Sequence, residues 1–228
     1  MVGDKTLLVV NTNLVMSDNT RESLQDAAGR WNCDYIEIRE KGDFNYHGAA
    51  MKLKAFHMCN HDRIFVIDSD TVIRKDTPSP FDLVSPENFG AVKNFQPHHP
   101  AIYTVSNVGI AIRDLTKLVK NNNIEGQVDI NYLAHNFFNS GVVVLTREKH
   151  EEVLDYAWEL FVNAKCMQWW DQLPLNVAVV IKLGEYQDLG IGWNYMFPQS
   201  FHKMNAYIYH FAGNPSRYDI LKVVNWRA

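Results

Sequence analysis

The chain has 228 residues, 46% of them hydrophobic and 21% charged, with a formal net charge of −4 at pH 7. That length suits one large α/β domain with a full core better than two small ones. The absence of any basic run argues against a nucleic-acid backbone as partner, and three scattered cysteines without a CxxC pair (Cys33, Cys59 and Cys166) imply neither a zinc cluster nor a disulfide framework.

Free thiols of this kind fit a reducing compartment, so the expected location is cytoplasmic. Leu7–Val10 is too short for a signal h-region, and no run approaches a membrane span. A soluble catalytic domain trimmed from a longer chain is equally compatible with this reading.

In chain order, Leu7-Leu8-Val9-Val10 reads as a buried strand that ends in the polar Asn11-Thr12-Asn13. Thr20 is placed to cap a helix running to about Trp31. Tyr35-Ile36-Glu37-Ile38 alternates like a strand, and Ala49 to Cys59 has a helical pattern with Leu53 and Phe56 on one face. Arg63-Ile64-Phe65-Val66-Ile67 is the clearest buried strand. Gln96 to Asn136, with His98, His99, Tyr103 and an Asn121-Asn122-Asn123 run, reads as an irregular insertion with a loop and a short helix. Further strands fall at Phe89–Val92 and Gly141–Leu145, and helices at Glu148–Ala164 and Leu173–Lys182. Strands alternating with helices predict an α/β fold with an open, mostly parallel sheet flanked by helices. Ligands in such sheets bind at the carboxyl ends of the strands.

The clearest strand runs directly into Asp68-Ser69-Asp70-Thr71. Two carboxylates at i and i+2 past a strand end offer the oxygen ligands that Mg²⁺ and Mn²⁺ prefer, and such ions keep positions open for phosphates. Taken alone the motif is also a common turn. It equally suits a haloacid-dehalogenase-like phosphatase, with the first Asp as nucleophile. Against that stand the preceding sixty and more residues of α/β pattern and the lack of a well-placed late acidic pair, Glu185 and Asp188 being the nearest.

Four segments in order resemble glycosyltransferase family 8, the glycogenin and bacterial galactosyltransferase group. They are Lys52-Leu53; Asp68-Ser69-Asp70-Thr71; Phe138-Asn139-Ser140-Gly141-Val142 together with Asp171-Gln172-x-x-Leu175-Asn176; and His210-Phe211-x-Gly213. The resemblance implies a single GT-A, Rossmann-like domain over residues 1–228. Its nucleotide-binding half would be 1–95 and its acceptor and sugar half 96–228.

The resemblance also implies metal ligands at Asp68, Asp70 and His210 holding Mn²⁺ or Mg²⁺, and a UDP-sugar donor contacted by Thr12, Asn13, Lys52, Ser69 and Gly213. Arg217 stands in for the family's phosphate lysine, whose position is Ser216 here. Asp171, Gln172 and Asn139 would line the reaction centre, and a glycan or other hydroxyl compound would be the acceptor. Retention of anomeric configuration is implied, with an inverting enzyme using Asp171 as base, or a non-catalytic sugar-nucleotide-binding protein, as alternatives. The family carries an Asp after the strand matching Phe89–Val92; here Lys93 and Asn94 occupy that region. Trp169, Trp170, Trp193 and Tyr195 either stack on a sugar or base or pack in the core.

Overall fold

Apolar runs of four or more residues become the central strands. The computed structural model describes residues 4–11, 16–39, 48–94, 105–164, 171–196 and 206–211. In chain order it runs β1 (Lys5–Val10), α1 (Asp18–Arg30), β2 (Asp34–Ile38), a 3₁₀ helix (Gly48–Lys54) continued by α2 (Ala55–Met58), β3 (Arg63–Asp68) and β4 (Thr71–Ile73). There follow α3 (Pro80–Leu83), β5 (Gly90–Lys93), α4 (Val105–Asn121), α5 (Ile130–His135), β6 (Phe138–Thr146) and α6 (Arg147–Asn163). The described chain closes with α7 (Gln172–Leu183), β7 (Gln187–Asp188), β8 (Tyr195–Met196) and β9 (Ile208–His210).

The main sheet has the order β2-β1-β3-β6-β5-β7. β1 is parallel to β2 and β3, and β5 is parallel to β7, while β6 runs antiparallel to both its neighbours. The reversed strand has a consequence for the site: the first residues of β6 lie at the same sheet edge as the carboxyl ends of β3 and β5. β6 also places a strand of the C-terminal half between two strands of the N-terminal half, so the two halves share one sheet.

Side-chain alternation divides the core into two layers. Leu8, Val66, Val143 and Leu145 face α4, α5, α6 and α7, in a cluster with Leu115, Leu133, Leu154 and Val179. Leu7, Val9, Phe65, Ile67, Val142 and Val144 face the other way, against Leu24 and Ala27 of α1 and Ile208 of β9. A sheet covered on both faces needs strands that are apolar throughout, and all nine residues of β6 are buried.

A second sheet, β4-β9-β8, was not legible in the sequence because its strands are only two or three residues long. Three expected elements also change. The cap of α1 is Ser17, whose Oγ accepts the Thr20 amide, and Thr20 lies buried inside the first turn. The expected helix from Ala49 is mostly 3₁₀. The expected irregular stretch contains the 17-residue α4, which buries Ala111, Leu115, Leu118 and Val119 at helical spacing. The asparagine run is its C-terminal stop: Asn123 adopts φ 54°, a left-handed conformation that asparagine tolerates better than most residues. His98, His99 and Tyr103 lie outside the described residues, as do Trp169 and Trp170.

Glu37 ties α1 to the outer strands, accepting hydrogen bonds from Asn11 Nδ2, Arg21 Nε and Arg39 Nε. Burial raises its pKa, but the two guanidinium groups and the Asn11 amide outweigh this and lower it to about 2. A depressed carboxyl stabilises the fold fully above its unfolded pKa of about 4.3 and loses that contribution as pH falls through the folded value. Glu37→Gln is therefore expected to cost about 1–2 kcal/mol at pH 7. In urea melts the two proteins should converge as pH approaches the folded value. An equal gap at acid and neutral pH would show that the Glu37 charge contributes nothing.

Candidate active site

Asp68 is the last residue of β3 and Thr71 the first of β4, so the Asp-x-Asp motif is the turn between two sheets. Thr71 Oγ1 donates to the Asp68 carbonyl at 2.7 Å, and the Phe211 amide donates to the Asp70 carbonyl at 2.8 Å. Ser69 sits half-buried in the turn. The pairing of β4 with β9 sets Thr71 opposite His210. It thereby carries a histidine 140 positions downstream to the carboxylates: His210 Nε2 is 3.1 Å from Asp70 Oδ1 and 3.6 Å from Asp68 Oδ2. Burial alone would lower the His210 pKa, but Asp70 and Asp68 outweigh it and hold it above the usual imidazole range.

These three residues fit a divalent ion. One donor atom from each lies within 4.8 Å of the other two, and two carboxylate oxygens with one imidazole nitrogen suit Mn²⁺ or Mg²⁺. The floor is cleared for it. A Cβ at Gly141 would stand 2.5 Å from His210 Cε1, 2.7 Å from Asn139 Oδ1 and 2.8 Å from Asp68 Oδ2, so only glycine lets these groups gather here.

Lys52 is not a solvated lysine. Its side chain is 5% exposed, and its Nζ lies 2.8 Å from Asp68 Oδ1 and 2.9 Å from Asp171 Oδ2, and donates to the Ser140 carbonyl and hydroxyl. Burial would lower its pKa, yet Asp171 and Asp68 prevail and keep the ammonium charged well above its ordinary range. Burial pushes the Asp171 carboxyl up, and Lys52 pulls against that. Asp171 directly precedes α7 and lies 2.9 Å from the ammonium. Its side chain does not cap α7; the ammonium is a stronger partner than the helix amides. Nor does it lie across the crevice from Asp68, since a single ammonium separates the two carboxylates.

Gln172 and Asn139 are buried beside this cluster, and Asn139 Nδ2 donates to Gln172 Oε1 at 3.2 Å. Asn139 Oδ1 accepts from the Gly141 amide and from Asn194 Nδ2, and its Nδ2 also approaches Met196 Sδ at 3.8 Å. With those partners the Asn139 amide has no position left for a sugar; it is a hub. Asn176, four residues after Gln172, closes the motif by bonding both backbone groups of Phe138 and the Gln172 carbonyl, which clamps α7 to the start of β6.

Trp193 and Tyr195 pack in the core, against Tyr207 and Tyr209. Thr12, Asn13, Gly213 and Arg217 lie outside the described residues. Asn194 is a site residue that the sequence does not single out, and Ser140, quoted only within its motif, joins the Lys52 cluster. A lone asparagine among aromatics carries no motif, and only the proximity of β8 to β9 reveals it.

No family model and no curated protein matches this sequence. Solved structures do. The chain aligns over 96% of its length, and 98% of the other chain, with a glycosyltransferase involved in glycosylation of the major capsid of PBCV-1, at TM-score 0.58 and 12% identity. The fold is the GT-A fold of glycosyltransferases. The galactosyltransferase LgtC, solved with donor and acceptor sugar analogs, aligns over 96% of this chain and 95% of its own at TM-score 0.53 and 16% identity. The bifunctional glycosyltransferase WbbM aligns over 92% of this chain at TM-score 0.57 and 13% identity, and this chain spans 46% of that one. Among the described residues no helix is long and apolar enough to cross a membrane.

Gly141→Ala should lower Mn²⁺ affinity by roughly tenfold or more in calorimetry, with an overpacking cost of about 1–3 kcal/mol in urea melts. Unchanged affinity would detach this glycine from the centre. Lys52→Met should destabilise by about 3–5 kcal/mol in urea melts, because it strands the buried Asp171 and the half-buried Asp68 without their partner. Adding Asp171→Asn should recover part of that loss. A surface lysine would give neither effect.

Proposed function

We propose that this chain is a metal-dependent glycosyltransferase that moves a hexose from a nucleotide-sugar donor, in the first place a UDP-sugar, to a glycan or other hydroxyl acceptor. The convergence of Asp68, Asp70 and His210 at the carboxyl edge of a GT-A sheet carries this reading. Asp68, Asp70 and His210 would hold Mn²⁺ or Mg²⁺, and the bound ion supplies charge neutralisation to the departing diphosphate. Three carboxylates set against one ammonium leave the cluster an excess of two negative charges while His210 is neutral, which a divalent cation balances.

The chain's own residues then divide the remaining work. Thr12 and Asn13, past the end of β1, are assigned to the nucleoside, Ser69 to the ribose, and Gly213 and Arg217 to the diphosphate. Gln172 Nε2 is buried without a hydrogen-bond partner among the described residues and offers a donor to a sugar hydroxyl. Asn94, just past β5 at the same edge, is 3% exposed, and neither atom of its amide is bonded among the described residues, so it takes the place of the missing acidic contact. Asp171, held 2.9 Å from the Lys52 ammonium, is assigned to stabilise positive charge near the anomeric carbon. Its Oδ2 is engaged by the Lys52 ammonium at 2.9 Å rather than open to an acceptor hydroxyl, which favours retention over an inverting mechanism.

The phosphatase alternative lacks its late acidic pair: Asp188 lies on β7, separated from β3 by β6 and β5, and accepts from the Lys93 and Gly190 amides. The decisive experiment incubates the protein with Mn²⁺ and UDP-, GDP- or dTDP-sugars and measures nucleoside diphosphate. UDP should be released from UDP-glucose or UDP-galactose, and Asp68→Asn and Asp70→Asn should each abolish this without unfolding the protein. Release of inorganic phosphate from monoesters would establish the phosphatase. Donor binding without turnover would make this a binding protein, and full turnover in excess EDTA would remove the metal from the reaction.

A further inference from the structure

His210 can meet a cation through Nε2 only if the ring's proton sits on Nδ1, and the structure shows what sets this. A backbone N–H is always a donor. The Gly141 amide donates to one end of the Asn139 side chain at 2.8 Å, which identifies that end as the carbonyl oxygen. The Asn194 atom 2.7 Å from the same oxygen must then be its amide nitrogen. The other end of Asn194, its carbonyl oxygen, is therefore the atom 2.8 Å from His210 Nδ1, and it can only accept. Nδ1 must carry a proton. The direction of each bond is set by the one before, starting at a group whose polarity is fixed. All four residues are buried, so water does not compete for these positions.

We propose that Asn194 is the positioning residue of the metal centre: its carbonyl oxygen holds the Nδ1 proton of His210 and so presents Nε2, lone pair outward, to an ion shared with Asp68 and Asp70. The proposal rests on the metal reading above. It adds that the preference is written into the β6 backbone at Gly141 and relayed through Asn139 and Asn194. Partners of this kind fix ring orientation and raise ligand basicity, and losing one typically costs about 10–100-fold in metal affinity.

The test uses Co²⁺ as a spectroscopic stand-in and Mn²⁺ for affinity. Wild-type protein loaded with Co²⁺ should show one paramagnetically shifted proton resonance that is solvent-exchangeable yet slow to exchange, the Nδ1–H of His210. Asn194→Leu, of similar size, should lose or broaden that resonance and bind Mn²⁺ at least tenfold more weakly by electron paramagnetic resonance of the free ion. Asn194→Asp keeps the acceptor toward Nδ1 but sets its second oxygen against Asn139 Oδ1 without a donor, so it should retain the exchangeable resonance even where the fold is weakened. If the leucine variant does not fold, Asn194→Ser, too short to reach His210, should show the same losses. Mn²⁺ affinity within twofold of wild type in the folded leucine or serine variant, or a bound Co²⁺ without the exchangeable resonance, overturns the role of Asn194. Wild-type protein that binds neither ion overturns the metal reading itself, a separate result.

Discussion

A buried ammonium between two carboxylates governs the architecture of this site. Lys52 comes from the 3₁₀ helix before β3, Asp68 from the end of β3, Ser140 from β6 and Asp171 from the residue before α7. Taking such charges out of water is costly, and only close pairing with good hydrogen bonds offsets it. The four segments must therefore meet in one arrangement. The cluster specifies geometry more than it adds stability, and it gathers two carboxylates around one ammonium at the carboxyl edge of the sheet.

The sheet topology supplies the second constraint. With β6 reversed, the Asn139–Gly141 segment arrives beside Asp68 at the ligand-binding edge, where a parallel strand would bring its other end. Pairing of β4 with β9 then closes the site from below and delivers His210. Gly141 lies where these constraints cross. A side chain there would occupy the space shared by Asp68, His210 and Asn139. The polar network is also closed at Asn139, whose four hydrogen-bonding positions are filled, while Gln172 and Asn94 keep buried groups unbonded among the described residues. An open polar atom in a buried position beside the cluster calls for a partner.

Much of this is legible in the chain's local patterns. The runs Leu7–Val10, Arg63–Ile67 and Gly141–Leu145 become strands because a sheet covered on both faces selects unbroken apolar segments. Asp68 and Asp70 stand out because they directly follow the apolar run Ile64–Ile67. The failures have equally specific causes. α4 is hidden by the histidine-rich and proline-containing stretch before it, although its buried positions recur at helical spacing. Thr20 has the chemistry of a cap but lies buried within the first turn, and its amide donates to the cap Ser17 instead.

The sequence by itself determined the strand pattern and the position of the acidic turn, because these depend on neighbours in the chain: apolar periodicity, turn chemistry and short spacings. The tertiary structure alone decided that Lys52 is buried against Asp171, that Asp171 is paired rather than capping, that Asn139 is a hub, and that Asn194 faces His210. Those contacts join residues between 16 and 119 positions apart. Such distances are closed by strand pairing and burial, and no local pattern in the chain records which side chains will meet.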